Sequence, residues 1–290
     1  MLGKAATLPA DQVFLDLEDA VAPLEKTDAT RAQVARALAE GEWSAATRVV
    51  RVNGVGTPWF LDDLLQVVEG AGASLHCVML PKVERADEVH FVDHLLGHLE
   101  RKLRLAEPIG LEIQIESPRG LVEIERIAGA SSRIETLIFG PGDYAAAAGI
   151  PQLTVGAIEA DYPGDQWHYV LSRIVTTARA FGLQAIDGPY AAIRDTDGFR
   201  TVATRSRLLG FDGKWALNPQ QIEPCNEIYA PSAGELSRAT RILDAYAAAT
   251  ETDHLGAVML DGEMIDEATR KMAAGVAERG RAAGLQRAVS

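Results

Sequence analysis

The stretch Leu111–Gly120, LEIQIESPRG, changes character halfway along. Its first residues extend an apolar run that begins near Ile109 and closes on Glu116, which reads as a buried strand ending in an acid. Ser117 and Pro118 then open a helix, serine as N-cap and proline at the first helical position, where its missing N–H costs nothing. Strand, acid and helix start within ten residues make one βα unit.

Working outward, the same unit repeats. Short apolar runs predict strands at 12–18, 48–53, 76–82, 109–116, 136–140, 183–187 and 211–217. Helical patterns fill most of the gaps: 61–70 after Pro58, 86–103, 117–129, and 167–182 ending at a glycine. Seven units emerge, one short of a closed (β/α)8 barrel. From about Pro231 the pattern changes to a helix over 235–250, a loop and a last helix rich in alanine and charge. The expected division is therefore 1–230 and 231–290, the second part an appendage.

Composition narrows the function classes. With 290 residues, 47% of them hydrophobic, the chain can bury a large core. A formal charge of −13 argues against nucleic acid as a partner, though a small anion can still bind locally. Two cysteines without a CxxC pair, Cys77 inside the apolar run HCVML, fit a reduced cytoplasmic protein without disulfides. Neither a membrane-length apolar segment nor a signal pattern is expected.

In parallel α/β folds the chemistry gathers at the carboxyl ends of strands, and the polar residues of this chain collect there. They are Asp16, Glu18, Asp19, Arg51, Asn53, Lys82, Glu116, Asp143, Asp187 and Lys214. Acids interleaved with a few cations around one rim suit a hard divalent ion with an anionic substrate. In LIFGPGDYAAAAG, 137–149, the glycines let the backbone pass close to a ligand beside Asp143, which alternatively is a plain N-cap of the alanine-rich helix. His90, His94 and His98 share a helical face, but the outer two are separated by about 12 Å at 1.5 Å per residue, too far for one zinc ion. NGVGTPW lacks the full dinucleotide fingerprint, and there is no GxSxG elbow.

Eight motifs, LDLEDAVAP, VVRVN, MLPKVE, IESPRG, FGPGD, AIDGPY, GFDGKWALNPQQI and VMLDGEMIDEATRKM, follow one another along the chain. Their order resembles the citrate-lyase-β-like branch of the HpcH/HpaI aldolase family, with GDQWHYVL, AIDGPY and the MIDEA segment most similar to L-malyl-CoA/β-methylmalyl-CoA lyases. The resemblance implies a TIM (β/α)8-type barrel with a C-terminal helical lid, assembled as homotrimers or homohexamers. It also implies Mg²⁺-dependent cleavage of a malyl-CoA-type CoA thioester into glyoxylate and acetyl-CoA or propionyl-CoA, with Mn²⁺ as a substitute metal. Carried over residue by residue, the metal carboxylates fall on Glu116 and Asp143, and the substrate arginine on Arg51. The aspartate of the lid, acting as base in a neighbouring subunit, falls on Asp266. Glu18 and Asp19 match acids that orient metal-bound water or the arginine, while Lys4, Gly142 and Asn218 match positions that contact CoA or substrate.

Two departures accompany the likeness. The family begins with an RSxLxVPG-type strand ahead of the Lys4 segment, so this chain is expected to lack the barrel's first strand; and Asn218 stands where relatives carry a His-Pro. Related activities on the same scaffold are a malyl-CoA thioesterase and a citramalyl-CoA lyase. A non-catalytic CoA-binding homologue is the different class, separable by assaying turnover with and without Mg²⁺.

Overall fold

The computed structural model describes residues 5–251 and 254–285. All seven expected strands form: β1 Gln12–Asp16, β2 Thr47–Arg51, β3 Cys77–Leu80, β4 Gly110–Ile115, β5 Ile134–Phe139, β6 Gln184–Asp187 and β7 Gly213–Lys214. Each pairs in parallel with the next in chain order, giving one seven-stranded sheet. Register aligns the strand ends, with Asp16 opposite Arg51 and Asp187 opposite Lys214.

The sheet curls on itself. Val49, Cys77, Met79, Ile138 and Trp215 form one buried cluster with Phe14 and Ile186 packed against it, so strands far apart in order share an interior. Phe14 of β1 and Trp215, just past β7, stack with ring centroids 4.5 Å apart. Val49 and Met79 are completely buried there, each side chain contributing about 1.5–3 kcal/mol by leaving water. Cys77 sits in the same interior, where burial first and Glu112 second push its thiol up, an inert structural group as its sequence context suggested.

Helices cover the outside of the sheet: α1 Asp28–Glu40, α2 Phe60–Ala71, α3 Ala86–Leu103, α4 Pro118–Val122, α5 Ile124–Ala128, α6 Pro141–Ala148, α7 His168–Phe181 and α8 Thr196–Leu209. The segment 117–129 is two short helices rather than the single one expected. Glu123 opens to φ −89°, ψ 4° between them, and this still buries Leu121 and Ile124 on the two sides of the break. Ser117 caps as expected, its hydroxyl accepting from the Gly120 N–H at 3.0 Å. At the end of α7, Gly182 takes the left-handed conformation, φ 72°, that a side chain resists.

The described residues fall into two compact units divided after Cys225, a point within α9, Ile222–Tyr229. In the second unit α10, Ala233–Glu251, and α11, Glu267–Ala282, pack around Ala239, Ile242, Ile265 and Ala273. The segment between them is not the plain loop that was expected. Strands β8, Val258–Leu260, and β9, Glu263–Ile265, form an antiparallel hairpin turned by Asp261 and Gly262, both at positive φ, 52° and 82°. Aspartate-glycine is the pair that a two-residue hairpin turn favours. Among the described residues no helix is long and apolar enough to cross a membrane.

Candidate active site

Strand ends place the polar residues, and Arg51 is their hub. It closes β2, the residue only 5% exposed, among the acids at and beyond the end of β1. Its Nε and Nη2 donate to the two Asp16 oxygens at 2.8 and 2.5 Å, a two-pronged pair that a planar guanidinium can make and an ammonium cannot. Nη1 lies 3.2 Å from Glu18 and Nη2 3.4 Å from Asp19. The guanidinium also lies over the rings of Phe14 and Trp215, 5.9 and 5.4 Å from their centroids. Burial works against the buried cation, but Asp16, Glu18 and Asp19 outweigh it and raise the Arg51 pKa. Asp16 is correspondingly lowered: burial pushes it up, and Arg51 more than reverses this.

The second group of acids follows β4 and β5. Glu116, 3% exposed, directly follows β4, the strand that opened the sequence argument. Burial, and after it the neighbouring Asp143 carboxylate, push Glu116 up to about 8. One of its oxygens accepts the Lys82 backbone N–H at 3.1 Å. Asp143 lies in the first turn of α6, whose N-cap is Gly140, so the plain capping role does not apply to it. Gly140 itself has a different purpose from the one its motif suggested: a Cβ there would run into the Glu116 carboxyl group, so the bare backbone makes room for that side chain.

Lys82 joins the two groups. Its Nζ lies 2.5 Å from Glu18 Oε1 and 3.5 Å from Asp143 Oδ1. Glu18 is raised because burial is only partly offset by Lys82 and Arg51, and its Oε2 is buried without a hydrogen-bond partner. Sequence reasoning placed Lys82 on the rim and gave it no role. It missed Lys26 altogether, whose Nζ donates to the carbonyls of Leu17 and Glu18 at 2.8 and 2.6 Å and to Asn53 Oδ1 at 2.7 Å. Lys26 thereby pins the loop bearing Glu18 to the end of β2. Asn53 is fixed further by Asp63, itself paired with Arg31 at 2.7 Å.

The other expected residues have partners of their own. Asp187 and Lys214 pair with each other at 2.7 Å, both buried. Gly142 follows Pro141 in α6 with the Val155 side chain against it. Asn218 caps the turn Pro219–Gln221, its side-chain oxygen accepting from the Gln220 N–H at 3.0 Å. In the second unit Asp266 caps α11, accepting from the Thr269 N–H at 2.9 Å and its hydroxyl at 3.0 Å, and these bonds hold its pKa below the usual value. Lys4 lies outside the described residues. His90, His94 and His98 are all exposed on α3, a solvated face. Cavities of about 300 and 410 Å³ open at the opposite, amino-terminal ends of the strands, sharing Pro108 and Glu135, and take no part in the cluster.

Residues 1–219 match the family model for HpcH/HpaI aldolase/citrate lyase. An L-malyl-CoA/β-methylmalyl-CoA lyase of Cereibacter sphaeroides is 36% identical over 279 residues, covering 93% of this chain and 87% of its own. Among solved structures, a citrate lyase from Burkholderia xenovorans LB400 superposes with a TM-score of 0.83 at 21% identity, over 95% of this chain and 85% of its own, a likeness of fold. The protein CitE from Mycobacterium tuberculosis, in complex with magnesium, acetoacetate and coenzyme A, superposes with a TM-score of 0.72 at 29% identity, over 94% and 90%.

Proposed function

The chain belongs to the HpcH/HpaI aldolase/citrate lyase family, and from that premise we propose that it is a Mg²⁺-dependent carbon–carbon lyase. Its substrate is L-malyl-CoA or β-methylmalyl-CoA, cleaved reversibly to glyoxylate and acetyl-CoA or propionyl-CoA. The observation that carries this reading is the convergence of Glu116, Asp143 and Arg51 at the carboxyl end of one parallel sheet. The name of the Cereibacter relative supplies the substrate, and the complex of the Mycobacterium protein supplies the metal and the CoA.

The residues fit the metal. Glu116 and Asp143 would hold it: two carboxylates forced together, one driven up to about 8, form a hard-oxygen pair that gains from a divalent cation. Glu18, whose Oε2 lies 3.2 Å from Arg51 Nη1 without a hydrogen bond to it, adds a further buried carboxylate beside the pair. When bound, magnesium supplies Lewis-acid polarisation of the keto-acid oxygens.

The protein's own groups do the rest. Arg51, held rigid by Asp16 and Glu18, offers fixed positive charge to the alkoxide and enolate oxygens, needing no reorganisation as charge develops. Asp266 takes the hydroxyl proton of the malyl group as the C–C bond breaks. The electron pair left on carbon forms the acyl-CoA enolate, which takes at that carbon the proton that Asp266 has just received from the hydroxyl. In the reverse direction the same carboxylate removes an α-proton. Gly142 lines the substrate, Lys4 and Asn218 contact CoA, and Asp19 supports Arg51 beside Glu18. Residues 1–230 act as the catalytic part, of TIM-barrel type, and 231–290 as a lid in a cytoplasmic homotrimer or homohexamer.

The test is glyoxylate release from malyl-CoA, followed as its phenylhydrazone. Wild type should be active with Mg²⁺ and silent in EDTA, while Glu116→Ala and Asp143→Ala remain folded and inactive. Full activity in EDTA, or in either variant, would overturn the assignment.

A further inference from the structure

Lys82 does something none of the roles above requires. It stands just past β3 with φ 55°, in the left-handed region that costs a side-chain-bearing residue about 1–2 kcal/mol. The conformation is held because both ends of the residue are engaged. Its backbone N–H meets Glu116 while its Nζ reaches Glu18 at 2.5 Å and Asp143 at 3.5 Å. One residue thus touches three carboxylates, including both assigned to the metal. Arg51 does not substitute for it, since its ion pairs are to Asp16, Glu18 and Asp19. The side chains of Lys82 and Asp143 are each 44% exposed, so the ammonium has room to leave that partner, whereas Glu18 is buried and anchors it.

We propose that Lys82 is a tethered counter-ion that competes with the divalent cation for Asp143: it neutralises the acids of the metal-free site and withdraws onto Glu18 when the metal binds. This rests on the metal reading given above. Two like-signed cations cannot share one carboxylate at contact distance without mutual repulsion, so the lysine's retreat is part of the work of binding. The apparent affinity for the metal is therefore weaker than the two carboxylates alone would give. In return the metal-free protein keeps a cation beside Asp143, the exposed acid of the group.

The experiment is a Mn²⁺ titration of the full chain followed by electron paramagnetic resonance, with thermal unfolding measured with and without the ion. Lys82→Met keeps the aliphatic stem and removes the charge; it should bind Mn²⁺ at least about fivefold more tightly than wild type. Its metal-free form should melt lower, and the increase in Tm on adding Mn²⁺ should be larger. Lys82→Gln should show the same tightening, which covers the case of an unstable methionine variant, and Lys82→Arg should return the affinity to the wild-type value. Equal or weaker Mn²⁺ binding by the uncharged variants would overturn the proposal while leaving the metal site standing. Absence of Mn²⁺ binding by wild type would overturn both.

Discussion

Single side chains in this site are held by geometry as much as by charge. Arg51→Lys keeps the positive charge but loses the two-pronged pairing with Asp16 and the flat contact with Phe14 and Trp215. We expect a 10²–10³-fold fall in kcat, roughly the effect of removing one preorganised donor at a developing oxyanion, with the fold intact by circular dichroism. Turnover near wild type would reduce Arg51 to general electrostatics. A second residue gives a prediction about pH. Glu112, almost fully buried inside the sheet, is pushed up to about 8 by burial, against the hydrogen bond from Gln12. A carboxyl whose folded pKa is raised keeps its proton where the unfolded chain has lost it. Between its ordinary value of 4.5 and about 8 the folded state binds more protons, so stability falls as pH rises through that window. Glu112→Gln removes this contribution, leaving the slope that Glu116 imposes, and should stabilise the protein at pH 8.5 by about 1–3 kcal/mol relative to wild type. Urea unfolding at pH 5 and 8.5 measures it, and parallel pH profiles for the two proteins would contradict it.

At the scale of elements, the ends of strands carry the candidate site and the residues beside them shape it. Gly140 caps α6 where a Cβ would strike the Glu116 carboxyl group. Gly140→Ala should therefore displace that carboxylate and weaken Mn²⁺ binding by about tenfold or more, while leaving the sheet formed; unchanged affinity would show that Glu116 moves aside freely. All seven strands of the sheet were legible in the sequence because a sheet covered on both faces writes near-continuous apolar runs. The acids Glu116 and Asp143 were legible because they end such runs or follow a glycine turn. What escaped was of two kinds. The β8–β9 hairpin had a local signal, Asp261-Gly262 between the short runs VML and EMI, that was passed over as loop. Lys26 had no local signal, and Lys82, read on the rim as a strand end, gave no sign of its partners, since a lysine does not announce the acceptors it will meet. Lys26 reaches Asn53, 27 positions on, and Lys82 reaches Glu18, 64 positions back.

At the scale of the whole molecule, the proposed metal carboxylates belong to the first compact unit and the proposed base, Asp266, to the second. Within its own unit Asp266 follows the hairpin and starts α11, its carboxylate held ionised by Thr269. Capping and catalysis do not conflict, because a carboxylate has two oxygens and the Thr269 contacts engage one of them. If the second unit serves as lid to a neighbouring subunit, the catalytic set is divided between chains, and that division can be tested without knowing the assembly's geometry. Asp266→Ala and Glu116→Ala are each expected to be inactive alone. Mixed under conditions that exchange subunits, some interfaces unite an intact metal site with an intact Asp266, and activity should return to roughly a quarter of the wild-type level if pairing is random and each site acts independently. A base working within its own chain leaves every chain in the mixture defective in one group or the other. Exchange demonstrated with two differently tagged variants, yet without recovered glyoxylate release, would place Asp266 in the same chain as the metal site it serves or remove it from the chemistry.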